Sequence, residues 1–241
     1  MSVQAMNNRM PPLALLAGGL STRLRPITAT IPKSMVLVAG QPFIAHQMQL
    51  LAGQGVREVV ICSGFLGDQI ETYVGDGTQF GCSVRYSYDG SPLKGTGGAI
   101  KKALPLLGEH FFIMYGDSYL PIEFGPVYEA FLSERTGGLM TVFRNENQWD
   151  TSNVEFKDHR IRNYDKVKLT PQMQYIDYGL GILKANIFER WKEDEVFDLS
   201  TVYGSLVETG ELSGYEVMQR FYEIGTPNGL SETDAMLRGS K

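Results

Sequence analysis

The stretch LALLAGGLSTRLRPITATIPKS, Leu13 to Ser34, decides how the rest of the chain is read. A short apolar run ends in two adjacent glycines, and Arg23 and Lys33 follow soon after. Such a run has the form of a parallel strand buried on both faces. Glycines directly after it mean either a tight turn or a backbone that lets a phosphate come close. Arg23 offers a planar, permanently charged fork for phosphate oxygens, and Pro32 stiffens the segment that delivers Lys33. The plainer reading is a glycine turn beside ordinary surface cations. Two familiar phosphate motifs are excluded: Gly18-Gly19-Leu20-Ser21 has neither G-x-G-x-x-G spacing nor the G-x-x-x-x-G-K-[ST] pattern.

Outward from this stretch, strand and helix patterns alternate. PFIAHQMQLLAGQG sets Ile44, Met48 and Leu51 at helical spacing, with Pro42 at the start and glycines at the end. EVVICSG, SVRYSYD, HFFIMYGDSYL and LMTVFRN read as strands, with LGDQIETYVGDG, GTGGAIKKALPLLG and GPVYEAFLSERTGG as the helices between them. This alternation predicts an α/β fold with a doubly wound, mixed but mostly parallel sheet, Rossmann-like, with ligands at the carboxyl edge of the strands. Beyond residue 144 the rhythm changes. SNVEFKDHRIRNYDKV predicts a polar hairpin, YIDYGLGILKANIF a strand entering a short helix, and DLSTVYGSLVETG a helix capped by Ser200 or Asp198. The expectation is one domain over 1–241, with a nucleotide-binding core at about 11–144. Residues from about 145 to 241 add a small substrate-binding elaboration.

Composition narrows the function classes. The chain has 241 residues, 43% hydrophobic and 20% charged, which suits a globular protein. With 22 basic against 27 acidic residues, the net charge of −5 gives no general attraction to nucleic acid or anionic membranes, so any phosphate site must be local. Cys62 and Cys82 lie in apolar segments without metal or disulfide spacing and read as small buried hydrophobes. MSVQAMNNRMPP reads as a loose tail rather than a leader, and no segment is apolar enough to span a bilayer, so the expected location is the cytoplasm.

Two further elements bear on chemistry. Gly116-Asp117 ends the apolar run FFIMYGD, where a carboxylate is either a magnesium ligand or a turn aspartate. In LKGTGGAIKKAL, Gly95, Gly97 and Gly98 open a helix, leaving room for a flat ligand or simply making a glycine turn.

Together these residues resemble the sugar-1-phosphate nucleotidyltransferases, whose signature L-A-G-G-x-[ST]-x-R-L-x-P followed by P-K is met from Leu16 to Pro26 and at Pro32-Lys33. The resemblance continues through PLKGTGGAI, YGDS and YEIGTP. It implies that Leu16, Ala17, Gly18 and Gly19 hold the nucleotide, that Arg23 grips its phosphates, and that Lys33 bridges nucleotide and sugar phosphate. Thr96, Gly97 and Gly98 would line the base pocket. Asp117 would bind Mg2+, with Glu223 second, although relatives usually carry aspartate before this Gly-Thr pair. Asn153, Lys166, Asp177 and Gly179 would hold the sugar phosphate and hydroxyls; Lys166 could instead be a solvated lysine. The implied reaction is NTP plus sugar 1-phosphate giving NDP-sugar and pyrophosphate, for surface polysaccharide or cell-wall metabolism. The segments resemble most the branch acting on heptose 1-phosphate with GTP or on N-acetylmuramate 1-phosphate with UTP. The length leaves no room for a fused acyltransferase repeat.

The chemistry needs no histidine base. A phosphate monoester has its second pKa near ~6, so the nucleophile is already ionised at neutral pH. His46, His110 and His159 fall outside the motifs and read as structural or exposed. Two alternatives remain at this point: a non-catalytic nucleotide-sugar-binding homologue, and a nicotinamide-dependent oxidoreductase, against which the glycine spacing argues.

Overall fold

The computed structural model describes residues 9–19 and 22–239. Of the twelve residues read as a loose tail, the first eight lie outside the described part, as do Leu20 and Ser21 of the glycine stretch; the last four are described, with Arg9 paired to Glu58 at 2.7 Å and Pro11 buried.

In chain order the elements are β1 (Leu13–Leu16), β2 (Leu37–Val38), β3 (Gln41–Pro42), α1 (Phe43–Gly53), β4 (Glu58–Ser63), α2 (Gly67–Val74), β5 (Ser83–Tyr88) and α3 (Gly95–Ala103). Next come β6 (His110–Tyr115), β7 (Ser118–Tyr119), α4 (Phe124–Glu134), β8 (Gly138–Arg144), β9 (Val154–Lys157) and β10 (Arg160–Tyr164). The chain finishes with β11 (Tyr175–Lys184), α5 (Leu199–Thr209), β12 (Leu212–Val217), β13 (Tyr222–Glu223) and α6 (Pro227–Gly239).

Nine strands form one sheet in the order β5-β4-β1-β6-β11-β8-β12-β10-β9. The four neighbouring strands β5, β4, β1 and β6 are wholly parallel. β11 enters antiparallel between β6 and β8, and β12 then lies parallel to β8. Every strand except β10 and β11 thus runs in one direction, as the alternating pattern predicts.

The strands are apolar on both sides because both sides are covered. In β1, Leu13 and Leu15 face a core shared with Ile44, Met48 and Phe124, whereas Ala14 faces one built from Ile100, Phe188 and Val202. β6 repeats the alternation: Phe112 and Met114 point one way, Phe111 and Ile113 the other. All of these side chains are at most 1% exposed, and each large one contributes about 1.5–3 kcal/mol by leaving water. The expected polar hairpin is β9–β10, whose turn residues Asp158 and His159 sit at φ 53° and 56°. Two left-handed residues make the tight turn whose twist matches the flanking strands.

The carboxyl ends of β1, β4, β5 and β6 open on one edge, and this is where the site lies. Gly116 belongs to that edge because nothing larger fits. A Cβ there would stand 2.7 Å from the Leu16 carbonyl oxygen and 3.0 Å from Ala17 Cα, while the Gly116 N–H donates to Leu16 O at 2.8 Å. The turn after β6 is held from below by Gln47 of α1, fully buried, whose amide donates to Tyr115 O and Ser118 O at 3.0 and 2.8 Å. No helix among the described residues is long and apolar enough to cross a membrane.

Candidate active site

Two clefts meet at this edge. The first, about 260 Å³, is lined by Leu16, Ala17, Gly18 and Gly19 from the turn after β1, by Thr96 at the start of α3, and by Lys33. The second, about 440 Å³, is lined by Arg23, Asn153, Lys166, Asp177, Gly179 and Glu223. Tyr115 and Asp117 line both. The residues expected on nucleotide and on sugar are therefore sorted, with few exceptions, into two adjoining spaces.

Lys33 stands at the junction. Pro32, at φ −65°, leads into a single 3-10 turn that begins at Lys33. The Lys33 ammonium then reaches Asp117 Oδ2 at 2.6 Å, with both side chains less than a third exposed. Arg23 lies in the second cleft rather than with the glycine turn; a Cβ at Gly225 would come within 3.4 Å of its Nη2.

The two acids expected to hold magnesium are brought together by a short ribbon. β7 pairs antiparallel with β13, setting Glu223 opposite Ser118, and the Ile224 N–H donates to Asp117 O at 2.9 Å. Glu223 is shaped by the helix that follows it. Thr226 is the N-cap of α6, its hydroxyl accepting the Gly229 N–H at 3.0 Å, with Pro227 in the first helical position. That cap holds the longer Glu223 side chain: Oε1 accepts from the Thr226 hydroxyl at 3.1 Å, and Oε2 accepts from the Gly225 N–H. Burial pushes the Glu223 carboxyl above the usual range, the Gly225 N–H opposes that, and Asp117 adds to the rise.

No group of three or more His, Cys, Asp or Glu side chains among the described residues could hold a metal alone. Two hard carboxylates in one cleft do fit magnesium, which takes one or two carboxylates and completes its shell with water and substrate phosphates.

In the second cleft, β11 breaks register between Asp177 and Gly181. Gly179 sits in that bulge at φ +101°, a left-handed conformation that glycine adopts without strain, and its N–H donates to Asp177 Oδ1 at 3.0 Å. Asn153 Oδ1 accepts the Asp177 N–H at 3.0 Å. Burial raises the Asp177 carboxyl, against the lowering influence of Lys166, the Gly179 N–H and the Tyr164 hydroxyl. The Lys166 ammonium lies 5.6 Å from the centre of the Tyr115 ring and 5.9 Å from that of Tyr164, a cation held over two aromatic faces. It lines the second cleft and is at the same time exposed to solvent.

Gly97 and Gly98 sit elsewhere than the base pocket expected for them. Both N–H groups donate to Phe197 O, at 3.0 and 3.1 Å, and the space beside them is filled by the segment leading into α5. Their small size admits another part of the chain, not a ligand. A Cβ on Gly97 would lie 2.5 Å from Phe197 Cε2 and 3.0 Å from the Asp198 backbone. Gly97→Ala is therefore expected to destabilise the protein by about 1–3 kcal/mol, the cost of overpacking, although alanine ordinarily strengthens a helix by ~0.5–1 kcal/mol. Urea denaturation checks the sign; a more stable variant would show that Phe197 moves freely.

Thr96 does line the first cleft, and it also does what Ser200 or Asp198 was expected to do. Its hydroxyl accepts the Leu199 N–H at 2.8 Å and bonds Asp198 Oδ1 at 3.3 Å, so the start of α5 is capped from α3. Other cleft residues escape a motif-based reading. Asp89 follows β5 at the same carboxyl edge and could have been found by that position alone. Asp150 and Thr151, in the turn after β8, line the second cleft and carry no motif. Cys62, buried at the first cleft's floor with its thiol pushed far up by burial, is inert, and Cys82 is buried too. None of the three histidines lines either cleft: His46 contacts Val38 O, His110 contacts the Tyr128 hydroxyl, and His159 sits in the hairpin turn.

Comparison with known proteins agrees with this geometry. The chain is 29% identical over 226 residues to N-acetylmuramate alpha-1-phosphate uridylyltransferase of Neisseria meningitidis serogroup B, covering 92% of this chain and 96% of that one. It is 30% identical over 186 residues to D-glycero-alpha-D-manno-heptose 1-phosphate guanylyltransferase of Campylobacter jejuni, covering 76% and 80%. Among solved structures, HddC from Yersinia pseudotuberculosis complexed with GMP-PN superposes with a TM-score of 0.80 at 25% identity, over 95% of this chain and 100% of that one. The family described as nucleotidyl transferase matches residues 14–232. With nearly all of the chain inside that match and two clefts joined at Asp117, this protein belongs to the nucleotidyl transferase family.

Proposed function

We propose that the chain transfers a nucleotidyl group from a nucleoside triphosphate, GTP in preference to UTP, to a sugar 1-phosphate, releasing pyrophosphate. The observation that carries this reading is the junction: one lysine and one carboxylate, 2.6 Å apart, stand where the first cleft meets the second.

A phosphate oxygen of the sugar 1-phosphate attacks the α-phosphorus, forming one P–O bond, while the bond to the β-phosphate oxygen breaks and pyrophosphate leaves with the electron pair. No proton has to be removed from the nucleophile. The barrier is the approach of one anion to another, so catalysis is a matter of charge and alignment. The backbone after β1 receives the triphosphate, Lys33 faces both phosphates, and Arg23 and Lys166 take the sugar phosphate. Asn153, Asp177 and Gly179 order the sugar. Asp117 and Glu223 would hold magnesium, which when bound neutralises phosphate charge as a Lewis acid.

Asp89 favours guanine. It is 6% exposed at the wall of the first cleft, and its Oδ1 has no hydrogen-bond partner among the described residues. Burial raises its carboxyl, opposed by Lys102 and Lys94. A carboxyl group at that wall can accept the two adjacent N–H groups on one edge of guanine. Uracil offers a single N–H between two carbonyl oxygens, which a carboxylate repels. Of the two relatives, the guanylyltransferase agrees with this choice and the uridylyltransferase does not, so the choice rests on Asp89.

The test is pyrophosphate release with magnesium present, for each common NTP against a panel of sugar 1-phosphates. GTP is expected to lead, and Asp89→Asn to lower the GTP/UTP ratio of kcat/KM about 100-fold, the scale of mispaired polar groups in a binding site. An unchanged ratio would remove Asp89 from base selection. Absence of pyrophosphate with every pair would leave a nucleotide-sugar-binding protein instead.

A further inference from the structure

We infer that Arg220 is a positioning residue for the acceptor: stacked on Trp149, it fixes the turn that carries Asp150 and Thr151 into the lining of the second cleft. This rests on the reading that the second cleft takes the sugar 1-phosphate.

The connection from β8 to β9 is built as a unit. Asn145, fully buried, donates to Asp150 O at 2.5 Å and to Ser152 Oγ at 3.1 Å, and accepts the Trp149 N–H at 3.2 Å. The Ser152 N–H donates to Asn147 Oδ1 at 2.8 Å, and the Ser152 hydroxyl accepts the Asn147 N–H at 3.0 Å. Bonds that close within the turn fix its shape but not its place against the rest of the molecule. Two attachments supply the place. Where the turn leaves β8, the N–H groups of Asn145 and Glu146 donate to Gln174 O at 3.1 and 3.0 Å. Further along, the Arg220 guanidinium sits 3.5 Å from the centre of the Trp149 ring.

Arg220 belongs to a different connection, the one from β12 to β13. There its guanidinium lies 4.6 Å from the centre of the Tyr222 ring, pairs with Glu232 of α6 at 2.7 Å, and donates from Nε to Phe221 O at 3.2 Å. A planar fork can stack on rings and donate in its own plane at once, which an ammonium cannot. Phe221 and Glu223 line the second cleft, as Asp150 and Thr151 do. Arg220 therefore ties together two connections that both shape this cleft. The first cleft takes no lining residue from either connection. Loosening the tie should disturb the acceptor and spare the nucleotide.

The experiment uses the full chain, the best NTP and sugar 1-phosphate pair from the panel above, and calorimetry with a non-hydrolysable GTP analogue. Arg220→Met keeps the length of the side chain and removes its charge and fork. It is expected to raise KM for the sugar 1-phosphate about tenfold, the scale of one stacked, partly desolvated cation, with kcat changing less. Binding of the GTP analogue should stay within about twofold of the wild type, because the variant leaves the first cleft alone. Trp149→Ala, at a side chain 45% exposed, should reproduce the acceptor effect from the other partner. The double variant should then lose about tenfold, not the roughly hundredfold of independent losses. Arg220→Lys should recover part of the acceptor KM. An unchanged acceptor KM in folded Arg220→Met overturns the inference, as do equal losses for acceptor and nucleotide or single losses that multiply; each leaves the reaction class intact. If the wild-type chain releases no pyrophosphate with any pair, the reading of the cleft falls and takes this inference with it.

Discussion

Lys33→Ala is expected to lower kcat/KM about 1,000-fold while leaving the fold in place. The ammonium at position 33 is 2.6 Å from Asp117 Oδ2, at the junction of the two clefts where the proposed reaction brings both phosphates together. Removing it withdraws a pre-positioned positive charge from the transition state, a loss of roughly 10²–10³ for one such donor. It also leaves Asp117 unneutralised against an incoming dianion, which adds to the barrier. The fold should barely notice, because the pair is partly solvent-exposed and such pairs contribute under about 1 kcal/mol. Steady-state pyrophosphate release beside a thermal melt separates the two effects. Lys33→Arg keeps the charge but spreads it over a planar fork, and should recover only part of the rate. A folded Lys33→Ala enzyme with near-normal turnover would remove Lys33 from the reaction.

Asp117→Asn is expected to cost a similar factor, about 1,000-fold in turnover, and to weaken divalent-metal binding. The substitution keeps the shape and the turn, since the backbone bond from Ile224 and the Gln47 clamp on either side do not use the carboxylate. What it removes is one of two hard, charged oxygen donors. Manganese binding followed by electron paramagnetic resonance, in the presence of the GTP analogue, reads the metal site without relying on activity. Because Lys33 and Asp117 touch, the Lys33→Ala/Asp117→Asn double variant should lose much less than the product of the single losses. Full multiplicativity would mean that the two act independently, and the junction described above would be a coincidence of packing.

The parallel half of the sheet was legible because its strands are apolar on both faces. LALL and HFFIMY carry that signature without reference to anything distant. The placement of β11 was not legible. YIDYGLGILK reads as a strand, yet nothing local says that it runs antiparallel between β6 and β8, because strand partners are chosen by non-local packing. The glycines show the same limit. At Gly116 the tight approach is to the neighbouring strand end, which a doubly wound topology predicts. At Gly97 the neighbour is Phe197, a hundred positions away, and a sequence pattern cannot tell space reserved for a ligand from space reserved for a phenyl ring. Arg23 stood out as a candidate cation, but its place in the second cleft, beside a turn at Gly225 some two hundred positions away, has no local signal. Asp150 and Gln47 had no local signal: one lines the second cleft from a turn organised by Asn145, the other supports the turn after β6 from a helix packed beneath it.

β11 carries a mechanical consequence. The strand that bears Asp177 and Gly179 is hydrogen-bonded to β6, the strand that leads to Asp117, so the residues proposed for the sugar and the proposed metal ligand stand on neighbouring strands of one sheet. Those two strands are held at the fixed repeat of a sheet, roughly 4.8 Å, and not by the closing of two lobes. In the proposed reaction, adaptation to a different acceptor would then fall to the connections after β8 and β10, which lie outside the paired strands that span the transfer of the nucleotidyl group.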